Sequence, residues 1–244
     1  QLAVLLMRVA QQRQSQPQVA GKGIYGLYAG GTLAAEAAML LSAHLGIPVS
    51  DSHAEGVMLE ASGHRIVDLG DDSYTLGRPH PMIDPTTRSI EIEKLATMPE
   101  VGVLLLDVVL GYGACADPAG AVVEAIEQVR RKRVAPLVVI ATMTGTDADP
   151  QGRSEQIAIL RDAGVAVVET LEEATLLAVS LTQHQPQSES AAHNPLLDGV
   201  QDINAGLRSF ALDLQSSGTP VVHYQWAPVA GGNARLASLL KQLH

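Results

Sequence analysis

Short, nearly unbroken apolar runs alternate with longer stretches of helical period between residues 24 and 183. The clearest run is 101–110, VGVLLLDVVL, which is too short for a membrane span and rich in Val and Leu. A strand buried on both faces of a parallel sheet reads this way. After it come Gly111-Tyr112-Gly113, a loop open to backbone angles that other residues resist, and then Asp117 and Pro118, a cap and a favoured first helical position. The helical period that follows runs to about Lys132.

The same unit recurs on either side. A strand over 24–28 leads through Ala29-Gly30-Gly31-Thr32 into a helix over 33–45, ended by Gly46 and Pro48. Residues 56–69 hold two apolar stretches around Ser62-Gly63, a hairpin signal, and the second arm is expected to continue into the sheet and end at Gly70-Asp71-Asp72. A long polar loop then reaches a helix capped by Asp84, with Pro85 at its first position. Beyond the central strand come a strand over 136–142, the turn Thr144-Gly145-Thr146-Asp147, and a helix over 151–163 stopped by Gly164. A short strand over 165–168 and a helix over 171–181 follow. Strands joined by single-helix crossovers predict an α/β fold with a doubly wound parallel sheet.

The two ends depart from this pattern. Residues 1–22 read as the end of an amphipathic helix plus a Gln/Ser/Pro/Gly-rich linker, expected to belong to a preceding domain of a longer protein. Residues 23–183 form the main domain, and 184–244 are a polar linker and a small α-β-α extension: a helix over 205–214, a strand over 220–225, the segment from Trp226 to Asn233 and a closing helix. One strand and two helices make no core of their own, so this unit is expected to dock on the main sheet or on a partner.

Composition narrows the partners. A net charge of −10 argues against nucleic acid, whose phosphates need clustered Lys and Arg. No apolar run is long enough to span a bilayer. The single cysteine, Cys115, forms no internal disulfide and fits a reducing cytoplasm. With aromatics at 3%, the core must be aliphatic.

In open parallel sheets ligands gather beyond the carboxyl ends of the strands. Here those ends carry Gly30, Gly31 and Thr32; Gly70 to Asp72; Gly111 to Gly113; Thr144, Gly145 and Thr146; and Thr170. All are small or polar, which fits a shared anion crevice, and equally fits ordinary turn chemistry. The pattern Gly111-x-Gly113-x-x-Ala116 imitates a dinucleotide fingerprint, but the next strand ends in Ala141-Thr142 without the acid that holds a ribose hydroxyl. In the proline-stiffened stretch 77–88, Arg78, His80 and Arg88 can surround a carboxylate or phosphate; alternatively the arginines pair with Asp71 and Asp72. Cys115 reads as a small packed thiol and His223 as a core or interface residue, and no histidine spacing suggests a metal site.

The stretches YAGGTLAAEAAMLL, DLGDDSYTLGRPHPMIDPTTR, LLLDVVLGYGACADPAG and INAGLRSFALDLQSSGTPVVHYQWAPVAGGN together resemble the C-terminal half of the FdrA family, described as acyl-CoA synthetase-like. A deeper similarity, to the C-terminal domain of the succinyl-CoA ligase β subunit, covers about residues 23–179 and implies a flavodoxin-like fold. By that resemblance Tyr112, Gly113 and Ala114 are the substrate-contact turn, and Asp117 starts a helix whose end faces a phosphohistidine of the partner subunit. Thr144-Gly145-Thr146-Asp147 corresponds to the ligase's EGTN turn with the acid lost, and Ala29 stands where the ligase has a substrate-contacting asparagine. An ATP-grasp domain and the phosphohistidine motif are missing. The resemblance therefore implies part of an active site, completed by N-terminal CoA-ligase-like domains and companion subunits in a homo- or hetero-oligomer.

FdrA-type proteins work with companions in purine (allantoin) breakdown, linked to oxamate carbamoyltransfer. The leading expectation is a cytoplasmic ligase-type domain that holds an acyl or carbamoyl phosphate, or a small carboxylate, against the helix at Asp117. CoA or an acyl phosphate is the implied cofactor and no metal is expected. The rival expectation is a non-catalytic interaction module with an apolar face around Val222, Tyr224 and Trp226.

Overall fold

A computed structural model describes residues 2–49, 54–183, 202–204 and 221–223. The first compact unit runs from Gln1 to Gln185. Its order is α1 (Leu2–Gln14), β1 (Gly23–Tyr28), α2 (Gly31–Leu45), β2 (Val57–Ala61), β3 (His64–Asp68), α3 (Asp72–Thr75), α4 (Thr86–Lys94), β4 (Val101–Val109), α5 (Pro118–Lys132), β5 (Val138–Thr144), α6 (Arg153–Asp162), β6 (Ala166–Val168) and α7 (Leu171–Thr182).

Six strands form one sheet in the order β2-β3-β1-β4-β5-β6. Every pairing is parallel except that of β2 with β3, the hairpin at the edge. Its turn uses Ser62 at φ 53 and Gly63 at φ 83, the left-handed pair that matches the twist of the flanking strands.

The unbroken apolar character of β4 has a simple cause. Leu104, Leu106 and Val108 pack into a core under α4, α5 and α6, while Val103 and Leu105 pack into a second core with α2 and α7. With helices on both faces, neither side of the strand meets water.

The helix at the N-terminus belongs to the first unit by its contacts. Val9 is buried in the α2–α7 core, and Arg8 Nη2 lies 3.1 Å from Glu173 Oε2.

Several boundaries differ from the sequence reading: α2 begins at Gly31 rather than 33, and α4 begins at Thr86 with Pro85, not Asp84, in the cap position. The strand expected over 136–142 runs from Val138 to Thr144, because its register on β4 pairs Val103 with Val138 and Val109 with Thr144. The helix expected from 151 begins at Arg153, since Gly152 at φ 68 breaks the helical path and the Gln151 side chain is engaged elsewhere.

In the second unit, Pro186 to His244, the strands β7 (Asp202–Asn204) and β8 (Val221–His223) pair in parallel. The expected linker over 184–200, the helix over 205–214, Tyr224, Trp226 and the closing helix lie outside the described residues.

Candidate functional site

The chain order places a topological switch beside β1. From β1 the chain moves outward to the hairpin, then returns to the other flank as β4, so the carboxyl ends of β1 and β4 frame the usual ligand crevice. Here that spot is filled by the protein itself. Asp107, fully buried two residues before the end of β4, accepts the Ala29 amide at 2.8 Å and the Gly30 amide at 2.9 Å. Its Oδ1 also accepts from Arg88 Nη1 at 3.0 Å, and the same Nη1 donates to the Asp107 carbonyl at 2.5 Å. Burial pulls the Arg88 guanidinium below its ordinary pKa, and the Asp107 charge opposes that pull.

Two sequence expectations change accordingly. Arg88 was expected to face a ligand anion or to pair with Asp71 or Asp72, yet it is 3% exposed and committed to Asp107. The glycines at 30 and 31 leave room for the chain's own carboxylates. A Cβ on Gly31 would stand 2.6 Å from Asp68 Oδ2, and one on Gly30 would stand 3.3 Å from Asp107 Oδ2. The positive end of α2 is thus already matched by two acids. Thr32 is exposed at that helix start.

The start of α5 is likewise engaged. Pro118 has no N–H, the Ala119 amide donates to Gln156 Oε1 at 2.9 Å, and the Gly120 amide donates to Asp117 Oδ1 at 2.9 Å. The Ala121 amide returns to the Asp117 carbonyl. The helix end expected to cradle an anion is therefore capped from within, with Asp117 as the cap. In the third turn, the Thr146 amide donates to Asp149 Oδ2 at 2.6 Å, and Gly145 at φ 134 passes so close to Leu110 that an added Cβ would lie 2.7 Å from its Cβ. Thr144 ends β5 with its side chain exposed.

What remains open is a cleft above the end of β4. Its volume is about 390 Å3, and it is lined by His80, Met82, Ile83, Val109, Leu110 and residues 111–114. One wall is the connector carrying His80, Met82 and Ile83; the floor is the end of β4; the other wall is the turn from Gly111 to Ala114.

The walls are tied together. Cys115 donates its amide to the Met82 carbonyl at 2.8 Å. Gln151, 7% exposed, accepts the Gly111 amide at 3.1 Å and donates to the carbonyls of Gly111 at 2.9 Å and Cys115 at 3.0 Å. The Ala114 amide folds back on the Gly111 carbonyl, whereas the amides of Tyr112 and Gly113 have no acceptor among the described residues. Gly113 sits at φ 81.

His80 and the phenol of Tyr112 are the polar side chains on this lining. His80 Nδ1 accepts the Met82 amide at 3.2 Å, which leaves the neutral ring's proton on Nε2. Nε2 points toward Gly70, where an added Cβ would lie 2.7 Å from it and 3.0 Å from Asp68 Oδ1. Burial raises the Asp68 pKa above its ordinary value, the Gly70 amide at 2.8 Å opposes this, and Asp71 adds to it. Arg78 is exposed and does not line the cleft.

The structure thus brings His80, Gly111, Tyr112, Gly113 and Ala114 together. It places Gly30, Gly31, Thr32 and Arg88 at the neighbouring filled crevice, and Thr144, Gly145, Thr146 and Asp117 at turns closed by their own caps. Sequence reasoning missed Asp107, Asp68, Gln151 and Gln156. Asp107 carried a usable signal: a lone acid inside VGVLLLDVVL has to be paired when both faces of the strand are buried. The two glutamines carried none, because their partners lie some 40 residues away.

Comparison with known proteins finds relatives over the first unit. The model of a family described as CoA-ligase matches residues 27–181. Over 171 residues the chain is 36% identical to the uncharacterized protein YahF of Escherichia coli, covering 67% of this chain and 33% of that protein, so it spans about a third of that relative's length. Among solved structures, a protein of Pyrococcus horikoshii OT3 superposes with a TM-score of 0.48 at 16% identity, covering 72% of this chain and 38% of that one. The dinucleotide forming acetyl-coenzyme A synthetase 1 of Ca. Korarchaeum cryptofilum, in complex with phosphate and ADP, does so with a TM-score of 0.47 at 17% identity, covering 72% of this chain and 37% of that one.

Proposed function

This chain belongs to the CoA-ligase family, and on that premise we propose that it presents the carboxyl or acyl-phosphate end of a substrate at the turn over 111–114. The observation that carries this reading is the pair of amides on Tyr112 and Gly113, left without acceptors among the described residues, beside a cleft also lined by His80. Two adjacent free amides suit a carboxylate or phosphoryl oxygen, since backbone donors held rigidly lose little on binding. Gln151 and the Cys115–Met82 bond supply that rigidity.

The finer reading is an FdrA-type subunit acting on a small carboxylate, an acyl phosphate or a carbamoyl phosphate, in an oxamate carbamoyltransferase-type assembly of purine (allantoin) breakdown in the cytoplasm. Its support is the motif set around GRPHPMIDPTTR and LGYGACADPAG. N-terminal ligase domains and companion subunits would complete the site. The pyrophosphate of CoA calls for cations. The cleft lining offers only His80, so we assign CoA to those other parts.

Calorimetry on the 244-residue chain with carbamoyl phosphate, oxamate, butyrate and inorganic phosphate tests the reading. Gly113→Ala, forced to hold φ 81, should weaken binding by about tenfold or more. Arg78→Ala should change little. Absence of binding by all four probes, or equal affinity in Gly113→Ala, refutes the assignment.

A second reading, a non-catalytic subunit-interaction module, is favoured by the satisfied amides at the start of α5. It expects no probe to bind while subunit assembly persists.

A further inference from the structure

The cleft has a polar edge and an apolar body, and the two make different demands on a ligand. The edge consists of the Tyr112 and Gly113 amides with His80. The body consists of Met82, Ile83, Val109 and Leu110 with the Tyr112 ring, all aliphatic or aromatic. Nearby cations are either spent or out of reach: Arg88 is buried against Asp107, and Arg78 is exposed away from the lining. Asp68, close to the His80 ring across Gly70, adds negative charge on that side.

A ligand with a second carboxylate would have to leave that charge unpaired against apolar walls, which is strongly unfavourable. An aliphatic tail would instead take Ile83, 58% exposed, and Tyr112, 89% exposed, out of water.

Resting on the reading that this turn holds a carboxyl or acyl-phosphate end, we propose that the ligand beyond that end is aliphatic. Among the substrates of the finer reading, the cleft then selects a small monocarboxylate or its acyl phosphate over oxamate and carbamoyl phosphate, and over any dicarboxylate. Specificity then comes from the two walls, with Ile83 and the Tyr112 ring contacting the tail and the turn amides contacting the head.

Acetate, butyrate, hexanoate, succinate and oxamate, titrated into the 244-residue chain and followed by calorimetry, separate the possibilities. Affinity should climb about three- to fourfold per methylene from acetate to hexanoate. Butyrate should bind more tightly than succinate, which differs from it by a second carboxylate. In the doubly substituted Ile83→Ser, Tyr112→Ser protein the gradient should flatten. Both side chains are exposed, so the fold should tolerate their loss, and an unchanged unfolding midpoint checks this.

Succinate or oxamate binding as tightly as butyrate overturns the aliphatic assignment and leaves the carboxylate reading standing. A chain-length gradient that persists in the double variant also overturns it, because the tail then lies elsewhere. Failure of every acid to bind removes both.

Discussion

Replacing Arg88 with methionine should remove a large part of the stability of this domain. Asp107 is fully buried and its carboxylate accepts from three donors: the Ala29 and Gly30 amides at 2.8 and 2.9 Å, and Arg88 Nη1 at 3.0 Å. At that last separation, an effective dielectric of about 20 gives roughly 5–6 kcal/mol of attraction. Desolvation of both groups offsets part of it, and Arg88 Nε, buried without an acceptor among the described residues, offsets more.

Methionine keeps much of the aliphatic stem, so packing loss is small and the main effect is an uncompensated carboxylate. Removing one partner of such a pair costs about 3–5 kcal/mol. With a urea slope of roughly 2 kcal/mol per molar for a domain of this size, the midpoint should fall by about 1.5–2.5 M.

A second variant separates charge from shape. Adding Asp107→Asn to Arg88→Met removes the stranded charge and leaves one carbonyl oxygen for the backbone amides. The double variant should be more stable than Arg88→Met alone by about 2 kcal/mol, a coupling that two independent sites would not show. Urea unfolding followed by circular dichroism reads both numbers. An Arg88→Met midpoint within about 0.5 M of the parent would mean that the pair contributes little, and the account of the filled crevice would fail.

Gln151→Leu keeps the side-chain volume but strips the β4–α5 turn of three hydrogen bonds; it should cost about 1–3 kcal/mol in urea unfolding and weaken carboxylate binding, and unchanged binding would show that the turn needs no brace. Gly145→Ala forces a side chain into φ 134 and against Leu110, so a loss of about 1–3 kcal/mol is expected, measured as a lower Tm. Asp68 has its folded-state pKa raised by burial, so its contribution is most favourable below the ordinary value of 3.8 and is lost as pH rises through the folded value. Asp68→Asn should therefore gain stability relative to the parent as pH climbs from about 4 to 7, and a difference independent of pH would contradict the assigned burial.

Periodicity and turn chemistry determined the architecture here without help from tertiary structure. A strand such as VGVLLLDVVL has to be covered on both faces, Ser62-Gly63 has to reverse the chain, and Asp117-Pro118 has to open a helix. These are short-range consequences of backbone sterics and burial, and they lie on the page of the sequence. The same holds for the turn over 111–114 as a place of interest, since two glycines after a buried strand mark it locally.

Which of the polar turns stays open was decided only by the fold. Arg88 and Asp107 are 19 residues apart, Ala29 and Asp107 78 apart, and Gln156 and Ala119 37 apart. Each of these pairings consumes a charge or an amide that looks free when the chain is read in one dimension. Buried polar groups take partners wherever packing brings them, so long-range contacts closed the α2 and α5 helix starts. They left the cleft above Leu110 open beside the turn over 111–114.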